Sequence, residues 1–323
     1  MTGTPAPGAP EGFRVAPEVA SALADGRPVV ALETTLVTHG LPRPDGLAVA
    51  GELEATVRGE GAVPATIGIL DGAIVAGLSR AELERLAASP GAAKVSLGNL
   101  AACLAAGRAG STTVAATVFA AHRLGVRVLA TGGIGGVHHD AAESGDVSAD
   151  LGALARYPLA VVSAGAKAVL DLPRTVEALE TLGVPVFGWR TDRFPAFYRR
   201  DAGLPLDARF DALPHLAAAV ARHLALGLGT GVLVANPVAP EHEMPADLYE
   251  SSLRRARDDA AAAGVRGRAV TPFLLERLRV LTEGRSVFSN RALLAANARL
   301  AGRLAAVLAG IPSRPLTASG PAD

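Results

Sequence analysis

The sequence predicts a layered α/β/α fold around a central mixed, mostly parallel sheet. Short apolar segments rich in Val, Ile and Leu alternate with amphipathic segments rich in Ala, Leu and Arg, which is the pattern of strands and covering helices. The strand candidates are apolar on both faces, as in a sheet buried between helices. Asp71-Gly72 separates two of them and is a strong hairpin signal, which makes the sheet mixed.

The elements follow one another along the chain without a repeat, a long linker or a break in composition, so we expect one domain over 15–310. The Pro-, Gly- and Ala-rich ends, 1–14 and 311–323, are expected to be flexible. Strands are predicted at 28–32, 65–69, 74–76, 127–130, 159–162, 184–188 and 232–235. Helices are predicted at 47–59, 79–88 (with Ser79 as N-cap), 113–124, 175–182, 212–226, 246–263, 271–282 and 292–308.

The composition excludes several classes of function. The chain has 323 residues, of which 50% are hydrophobic, and its 31 basic residues balance 31 acidic ones. That balance argues against nucleic-acid binding and against an electrostatic membrane anchor. The longest apolar candidate, 224–235, is too short to cross a bilayer, and the N-terminus lacks the pattern of a secretory signal. A single cysteine, Cys103, excludes a disulfide framework and agrees with a cytoplasmic location.

Lysine is rare in this chain. The chain has two lysines, Lys94 and Lys167. The other Lys/Arg residues are all arginine, which cannot act as an amine nucleophile. Lys167 follows a predicted strand and a turn of small residues, in apolar surroundings that disfavour the ammonium form. A neutral amine there could attack a sugar C1 and form a Schiff base. The alternative is an ordinary lysine that extends to solvent at a helix start.

Carboxylates stand out at two places. Glu33 directly follows the strand 28–32, where partial burial would raise its pKa and suit it to general acid catalysis; the alternative is a cap or a structural ion pair. Asp146, Ser148 and Asp150 alternate along the chain and could offer oxygens to a Mg²⁺- or Mn²⁺-type ion. The alternative for this second group is an Asp N-cap on the following helix.

Two small-residue segments could approach a ligand. Residues 110–114 place hydroxyls and backbone N–H groups at a predicted helix start, which suits a phosphate but equally suits plain N-capping. Residues 131–139 carry four glycines after a strand and then two histidines. The glycines permit a close backbone approach, but the spacing is not that of a dinucleotide fingerprint. The histidine pair could bind a metal, although one packed and one solvated histidine is the simpler interpretation.

Taken in order, these segments resemble the pseudouridine-5'-phosphate glycosidase family. The likeness runs from about residue 14 to 310, and the order, spacing and number of the motifs make it specific. The matching segments are ALETT at 31–35, VPATI at 63–67, Lys94, GSTTV at 110–114, TGGIGGVH at 131–138, DVSADL at 146–151 and VSAGAK at 162–167, followed by 191–197, 236–237 and 270–273.

The resemblance implies reversible cleavage of pseudouridine 5'-phosphate to uracil and ribose 5-phosphate, one Mn²⁺ per subunit and a homotrimer. It implies that Lys167 is the nucleophile, that Glu33 is the proton donor and that Asp146 holds the metal. Asn290 or Asn297 would touch the base. The other implied substrate contacts are Lys94, Thr113, Val114, His138, Ser148, Ala149 and Asp150.

The chain departs from the family pattern at two places. Leu97 and Gly98 stand where the family usually has two arginines after its lysine segment, and His139-Asp140 replaces the usual Arg-Gly. The lost positive charge leaves two alternatives: another Schiff-base enzyme acting on a phosphosugar, such as an aldolase or lyase, and a non-catalytic ligand-binding homologue. Release of uracil separates the first alternative from a glycosidase, and borohydride trapping of ribose 5-phosphate on Lys167 excludes the second.

Overall fold

The computed structural model describes residues 10–40, 45–265 and 270–311. The strands are β1 (Phe13–Val15), β2 (Val29–Leu32), β3 (Val63–Leu70), β4 (Ala73–Ala76), β5 (Ala93–Val95), β6 (Gly110–Thr112), β7 (Val128–Ala130), β8 (Ala160–Ser163), β9 (Val186–Trp189), β10 (Ala208–Phe210) and β11 (Val232–Ala235). They form one sheet in the order β1-β4-β3-β2-β7-β8-β11-β9-β10, and β6 extends it from β3 to β5.

The sheet is mixed and mostly parallel, which confirms the predicted fold class. In the described residues β3 pairs antiparallel with β4 and β6, and the other strand pairs are parallel. The hairpin prediction is also confirmed. Asp71 and Gly72 have φ angles of 54° and 74°, which is the left-handed pair that a tight turn between twisted antiparallel strands requires.

Helices cover the sheet. They are α1 (Pro17–Ala24), α2 (Asp45–Gly59), α3 (Arg80–Ala88), α4 (Leu100–Ala105), α5 (Val114–Arg123), α6 (Ala141–Ser144), α7 (Ala149–Leu154), α8 (Leu172–Thr181), α9 (Leu213–Ala225), α10 (Ala246–Ala262), α11 (Val270–Leu281) and α12 (Arg285–Ala309). A π-helical turn occupies Leu36–Gly40, and short 3₁₀ turns occupy Leu97–Asn99 and Pro240–His242.

The longest helix, α12, crosses the centre of the fold. It packs against α2, α9 and the strands β7 and β8. Among the described residues it is the one helix long and apolar enough to span a bilayer. However, 56% of its apolar 18-residue stretch is buried inside the protein. That burial is typical of the central helix of a folded domain. Residues 224–235, taken from the sequence as the longest apolar segment, are instead the end of α9, a loop and β11.

Several boundaries differ from the prediction. β1 pairs with β4 from Phe13 onward, so ordered structure begins inside the segment expected to be flexible. Residues 1–9 and 312–323 lie outside the described residues, and the single-domain limits stay a prediction. α8 begins at Leu172, because Asp171 accepts a hydrogen bond from the Arg174 N–H as its N-cap. α12 begins at Arg285, about two turns before the predicted start.

Candidate active site

The predicted site residues collect where the central parallel strands end, which is where ligands bind in open α/β sheets. Glu33 follows β2, Thr131 follows β7 and the loop to Lys167 follows β8. Lys94 lies in β5, in register with Ser111 of β6. Four chain segments that are distant in sequence therefore place an acid, two amines and a glycine-rich loop at one edge of the sheet. This glycine loop comprises residues 131–137.

Glu33 is a buried acid, with 8% of its surface exposed. Thr131 donates a hydrogen bond from Oγ1 to its Oε1. Burial raises the pKa of the Glu33 carboxyl, and the charge of Asp150 raises it further, against the opposing effects of Lys167, the Thr131 hydroxyl and Lys94. The net shift is upward, so Glu33 keeps its proton to a higher pH than an exposed glutamate does, as a general acid requires.

The two lysines are half-buried and lie close enough for their charges to interact. Burial lowers the pKa of Lys94 first, and the charge of Lys167 lowers it further, while Asp150, Glu33 and Asp146 act in the opposite direction. The site thus holds two amines, and three carboxyl groups act on the pKa of one of them, Lys94. Lys167 also acts on Glu33, because its charge lowers the pKa of that carboxyl.

The backbone around Lys167 is fixed by the glycine loop beside it. The N–H of Ala164 donates to Gly132 O at 2.9 Å, and the N–H of Lys167 donates to Ile134 O at 2.9 Å. Gly165 has a φ of +75°, and an added Cβ there would lie 2.1 Å from Pro195 O. A side chain at 165 would therefore clash with the backbone of Pro195, which explains the glycine at this position.

Asp150 has a role that the sequence pattern did not indicate. It is 4% exposed, and its Oδ1 accepts from the Ala115 N–H while its Oδ2 accepts from the Gly135 N–H, both at 2.8 Å. The carboxylate joins the N-terminus of α5 to the glycine loop, where the helix dipole favours its charge. The Ala115 N–H, one residue after the anion site predicted at 110–114, is therefore already bound to the chain's own carboxylate.

The neighbouring predicted contacts lie at the starts of two helices. Thr113 is the N-cap of α5, and Val114, its first residue, has a fully buried side chain, so a ligand could meet Val114 through its backbone alone. Ser148 is the N-cap of α7, and Ala149 is the first residue of that helix and is exposed. These four positions remain predicted substrate contacts. The first three residues of the predicted anion site, 110–112, form strand β6.

The resemblance implies that Asp146 holds the metal, and the pattern at 146–150 leaves open whether Ser148 and Asp150 add oxygens or the segment only caps a helix. Asp146 is half-buried, and its carbonyl accepts from the His138 N–H at 3.1 Å. Both oxygens of Asp150 already accept a backbone N–H bond. No group of three or more His, Cys, Asp or Glu side chains that could hold a metal occurs in the part of the chain that the structure describes.

The two histidines after the glycine loop separate as the simpler interpretation expected. His138 is half-buried, whereas the side chain of His139 is 44% exposed and lies 3.7 Å from Asp171. Arg257 of α10 donates a hydrogen bond to Nε2 of His139. The Arg257 side chain therefore lies beside His139, a contact that no local motif could reveal.

Asn290 and Asn297 have different surroundings. Asn290 lines a cavity of about 270 Å³ together with Thr38, His39, Tyr198 and Ser286. Asn297 is fully buried, donates to Thr131 O at 2.8 Å and accepts from Asn236 at 2.9 Å. Because both ends of its amide are used inside the protein, Asn290 is the better placed of the two to meet a base.

Sequence reasoning missed Thr131 and Tyr249. Thr131 was seen as part of a glycine segment, yet its hydroxyl contacts the predicted acid. Tyr249 of α10 donates from its hydroxyl to Ala168 O at 3.0 Å, one residue after Lys167, and burial raises its pKa to about 12, so the hydroxyl stays a donor. The strand end that carries Thr131 was a usable signal; nothing in the sequence links residue 249 to Lys167.

Comparisons with known proteins show the family of the chain. A family model described as Indigoidine synthase A like protein matches residues 18–307. Proteins named pseudouridine-5'-phosphate glycosidase from Paracoccus denitrificans and Methylobacterium nodulans are 52% and 54% identical to the chain, covering 91% and 92% of it and 98% and 88% of their own length.

Solved structures are similar over most of the chain as well. The prealnumycin C-glycosynthase AlnA, crystallised with ribulose 5-phosphate, has a TM-score of 0.87 and 39% identity over 94% of this chain and 98% of its own. An indigoidine synthase A-like protein from Thermotoga maritima has a TM-score of 0.82 and 38% identity, covering 88% of this chain and 94% of its own.

Proposed function

We propose that this chain, which belongs to the pseudouridine-5'-phosphate glycosidase family, cleaves the carbon–carbon glycosidic bond of pseudouridine 5'-phosphate to give uracil and ribose 5-phosphate, and also runs the reverse reaction. The family model and the two relatives confirm the family resemblance found in the motifs. The observation that carries the activity is the meeting of a buried acid, Glu33, with two interacting amines, Lys94 and Lys167, at one edge of the sheet.

The chemistry explains why an amine is needed. A glycosidase that acts on an acetal uses two carboxylates, but a carbon leaving group departs poorly and needs stronger assistance. A covalent bond from an amine to C1' divides the reaction into easier steps. Lys167 is the proposed nucleophile because its backbone is held rigidly on two sides and its charge interacts with that of Glu33.

In the first step the Lys167 nitrogen bonds to C1', the bond from C1' to the ring oxygen breaks, and the ring oxygen takes up the proton that the amine loses. In the second step the nitrogen lone pair forms an iminium while the bond from C1' to C5 of uracil breaks. The electron pair moves to C5, which takes its proton from Glu33. Water then adds to the iminium, returns a proton to Glu33 and releases the open-chain ribose 5-phosphate and the free amine.

The burial of Glu33 supports its role as the acid. An exposed glutamate is almost fully ionised at neutral pH, whereas the raised pKa of Glu33 keeps a larger fraction protonated. Thr131 and the two lysines limit that rise, so the carboxyl can also release its proton during the reaction. Asp150, fixed by two backbone N–H groups, lies close enough to act on the pKa values of Lys94 and Glu33.

A Mn²⁺ ion at Asp146 is part of the proposal. A hard cation of this kind often takes one or two carboxylates and fills its other positions with water, so the half-buried Asp146 fits such a water-rich site even without a second acidic ligand. When bound, the metal would supply positive charge for the phosphate end of the substrate. The family resemblance further predicts a homotrimer and a cytoplasmic location.

The deciding experiment measures uracil release from pseudouridine 5'-phosphate by chromatography, with and without added Mn²⁺. We expect release by the wild type and none by Lys167→Arg, which keeps the charge but removes the amine nucleophile. Borohydride with ribose 5-phosphate should attach one reduced pentose phosphate to Lys167, and Lys94→Arg should still be labelled. A wild type that releases no uracil, or that is labelled on Lys94, would contradict the proposal.

A further inference from the structure

The carboxyl group of Glu33 is held by a buried chain of hydrogen bonds that the reaction itself does not explain. Thr131 donates from Oγ1 to Oε1 of Glu33. Both residues are almost completely buried, at 2% and 8% exposure. The bond joins the ends of the neighbouring strands β2 and β7. The other carboxyl oxygen, Oε2, does not accept the hydrogen bond from Thr131.

Thr131 is itself fixed from both sides. Its N–H donates to Val162 O at 3.0 Å, and its carbonyl accepts from the side chain of Asn297 at 2.8 Å. Asn297 in turn accepts from the side chain of Asn236 at 2.9 Å, and the Asn236 N–H donates to Ser163 O at 2.8 Å. The chain of bonds therefore ties the ends of β7, β8 and β11 to the central helix α12.

We propose that Thr131 is a positioning residue for the glycosidase reaction: its hydroxyl holds Oε1 of Glu33 as a hydrogen-bond acceptor, so that the proton delivered to the uracil carbon resides on Oε2. This inference rests on the proposed function. An oxygen that accepts a hydroxyl hydrogen bond is the poorer place for the acidic proton, because a proton there would meet the hydrogen of Thr131. Fixing the proton on one oxygen aligns it for transfer before the carbon–carbon bond breaks.

The groups that face Glu33 give this role a pH signature. Burial and Asp150 raise the pKa of Glu33, and Lys167, the Thr131 hydroxyl and Lys94 lower it. A general acid must be protonated, so turnover falls as the pH rises through its pKa. Removal of the Thr131 hydroxyl takes away a lowering influence, and the alkaline limb of the kcat profile should therefore move to higher pH.

Thr131→Val tests the proposal, because valine keeps the shape of threonine and lacks the hydroxyl. We expect kcat to fall by about 10–100-fold with little change in KM, and the alkaline limb to rise by about 0.5–1 pH unit. Thr131→Ser keeps a hydroxyl and should restore most of kcat and the wild-type limb. Thr117→Val is the matched control, since Thr117 is equally buried and its hydroxyl contacts Thr112 and Thr113 rather than Glu33.

The outcomes separate this inference from the proposed function. If the wild type releases uracil but Thr131→Val matches it in kcat and in the position of the limb, the positioning role is wrong while the glycosidase activity stands. A Thr131→Ser variant as impaired as Thr131→Val, or a Thr117→Val variant with the same upward shift, also overturns it. Borohydride should still trap ribose 5-phosphate on Lys167 in Thr131→Val, because the amine that forms the iminium is unchanged.

Discussion

Replacing Gly135 with alanine should damage both stability and activity. An added Cβ would lie 2.2 Å from Oγ and 2.6 Å from Cβ of Ser148, and 2.9 Å from Oδ2 of Asp150. The Ser148 Cβ is attached directly to the backbone, so rotation of the side chain cannot relieve the contact. Overpacking costs about 1–3 kcal/mol, and loss of the 2.8 Å bond from the Gly135 N–H to Asp150 adds about 1.5–3 kcal/mol if it breaks.

We therefore expect the free energy of unfolding to fall by about 2.5–6 kcal/mol in urea denaturation, and kcat/KM for uracil release to fall by at least about tenfold because Ser148 and Asp150 must move. Gly152→Ala is the control: this glycine is in α7, and a Cβ there meets nothing within 4 Å. Alanine should stabilise that helix by up to about 1 kcal/mol. If Gly135→Ala is as stable and active as Gly152→Ala, the close approach of the glycine loop to Asp150 is wrong.

Two further predictions concern Glu33 and the metal. Glu33→Gln should abolish uracil release and should be more stable than the wild type at alkaline pH. Because the folded-state pKa of Glu33 is raised, its stability contribution is complete below the unfolded-state pKa and is lost as the pH rises through the folded-state value; melting temperatures that keep the same difference at acid and alkaline pH would contradict this. Removal of divalent metal with EDTA should stop turnover without unfolding the protein, and Asp146→Asn should need more Mn²⁺ than the wild type for half-maximal activity, whereas an unchanged Mn²⁺ requirement would exclude Asp146 as the ligand.

The fold class was predictable because its main elements are long or strongly patterned. β11 was predicted at its observed bounds, and Ser79 does cap α3, where its side chain and that of Glu82 form a reciprocal capping box. The missed strands β1, β5, β6 and β10 have three residues each. Three residues are too few to show an alternating pattern, and such strands exist because neighbouring strands offer them hydrogen-bond partners.

The site was predictable in part for a related reason. Glu33 and Lys167 follow apolar strands, so their position at the edge of the sheet follows from the pattern alone. The partners of these residues do not follow from it. Thr131 meets Glu33 because β2 and β7 are neighbours in the sheet although they are distant in sequence, and Arg257 meets His139 across 118 positions of the chain. Contacts of this kind depend on strand order and helix placement, which a single sequence does not specify.

The two aspartates of the segment 146–150 show how local pattern and tertiary structure can disagree. An alternation of carboxylates and a hydroxyl is typical of a cation site, and that pattern takes no account of the helix that begins between them. Ser148 ends the loop as the N-cap of α7, and the first turn of the helix directs Asp150 inward onto the Ala115 and Gly135 N–H groups. Asp146 stays in the half-buried loop before it. The two carboxylates of one motif thus have different surroundings: that of Asp150 is buried and held by two backbone N–H groups, and that of Asp146 is half-buried, where we propose that the metal binds.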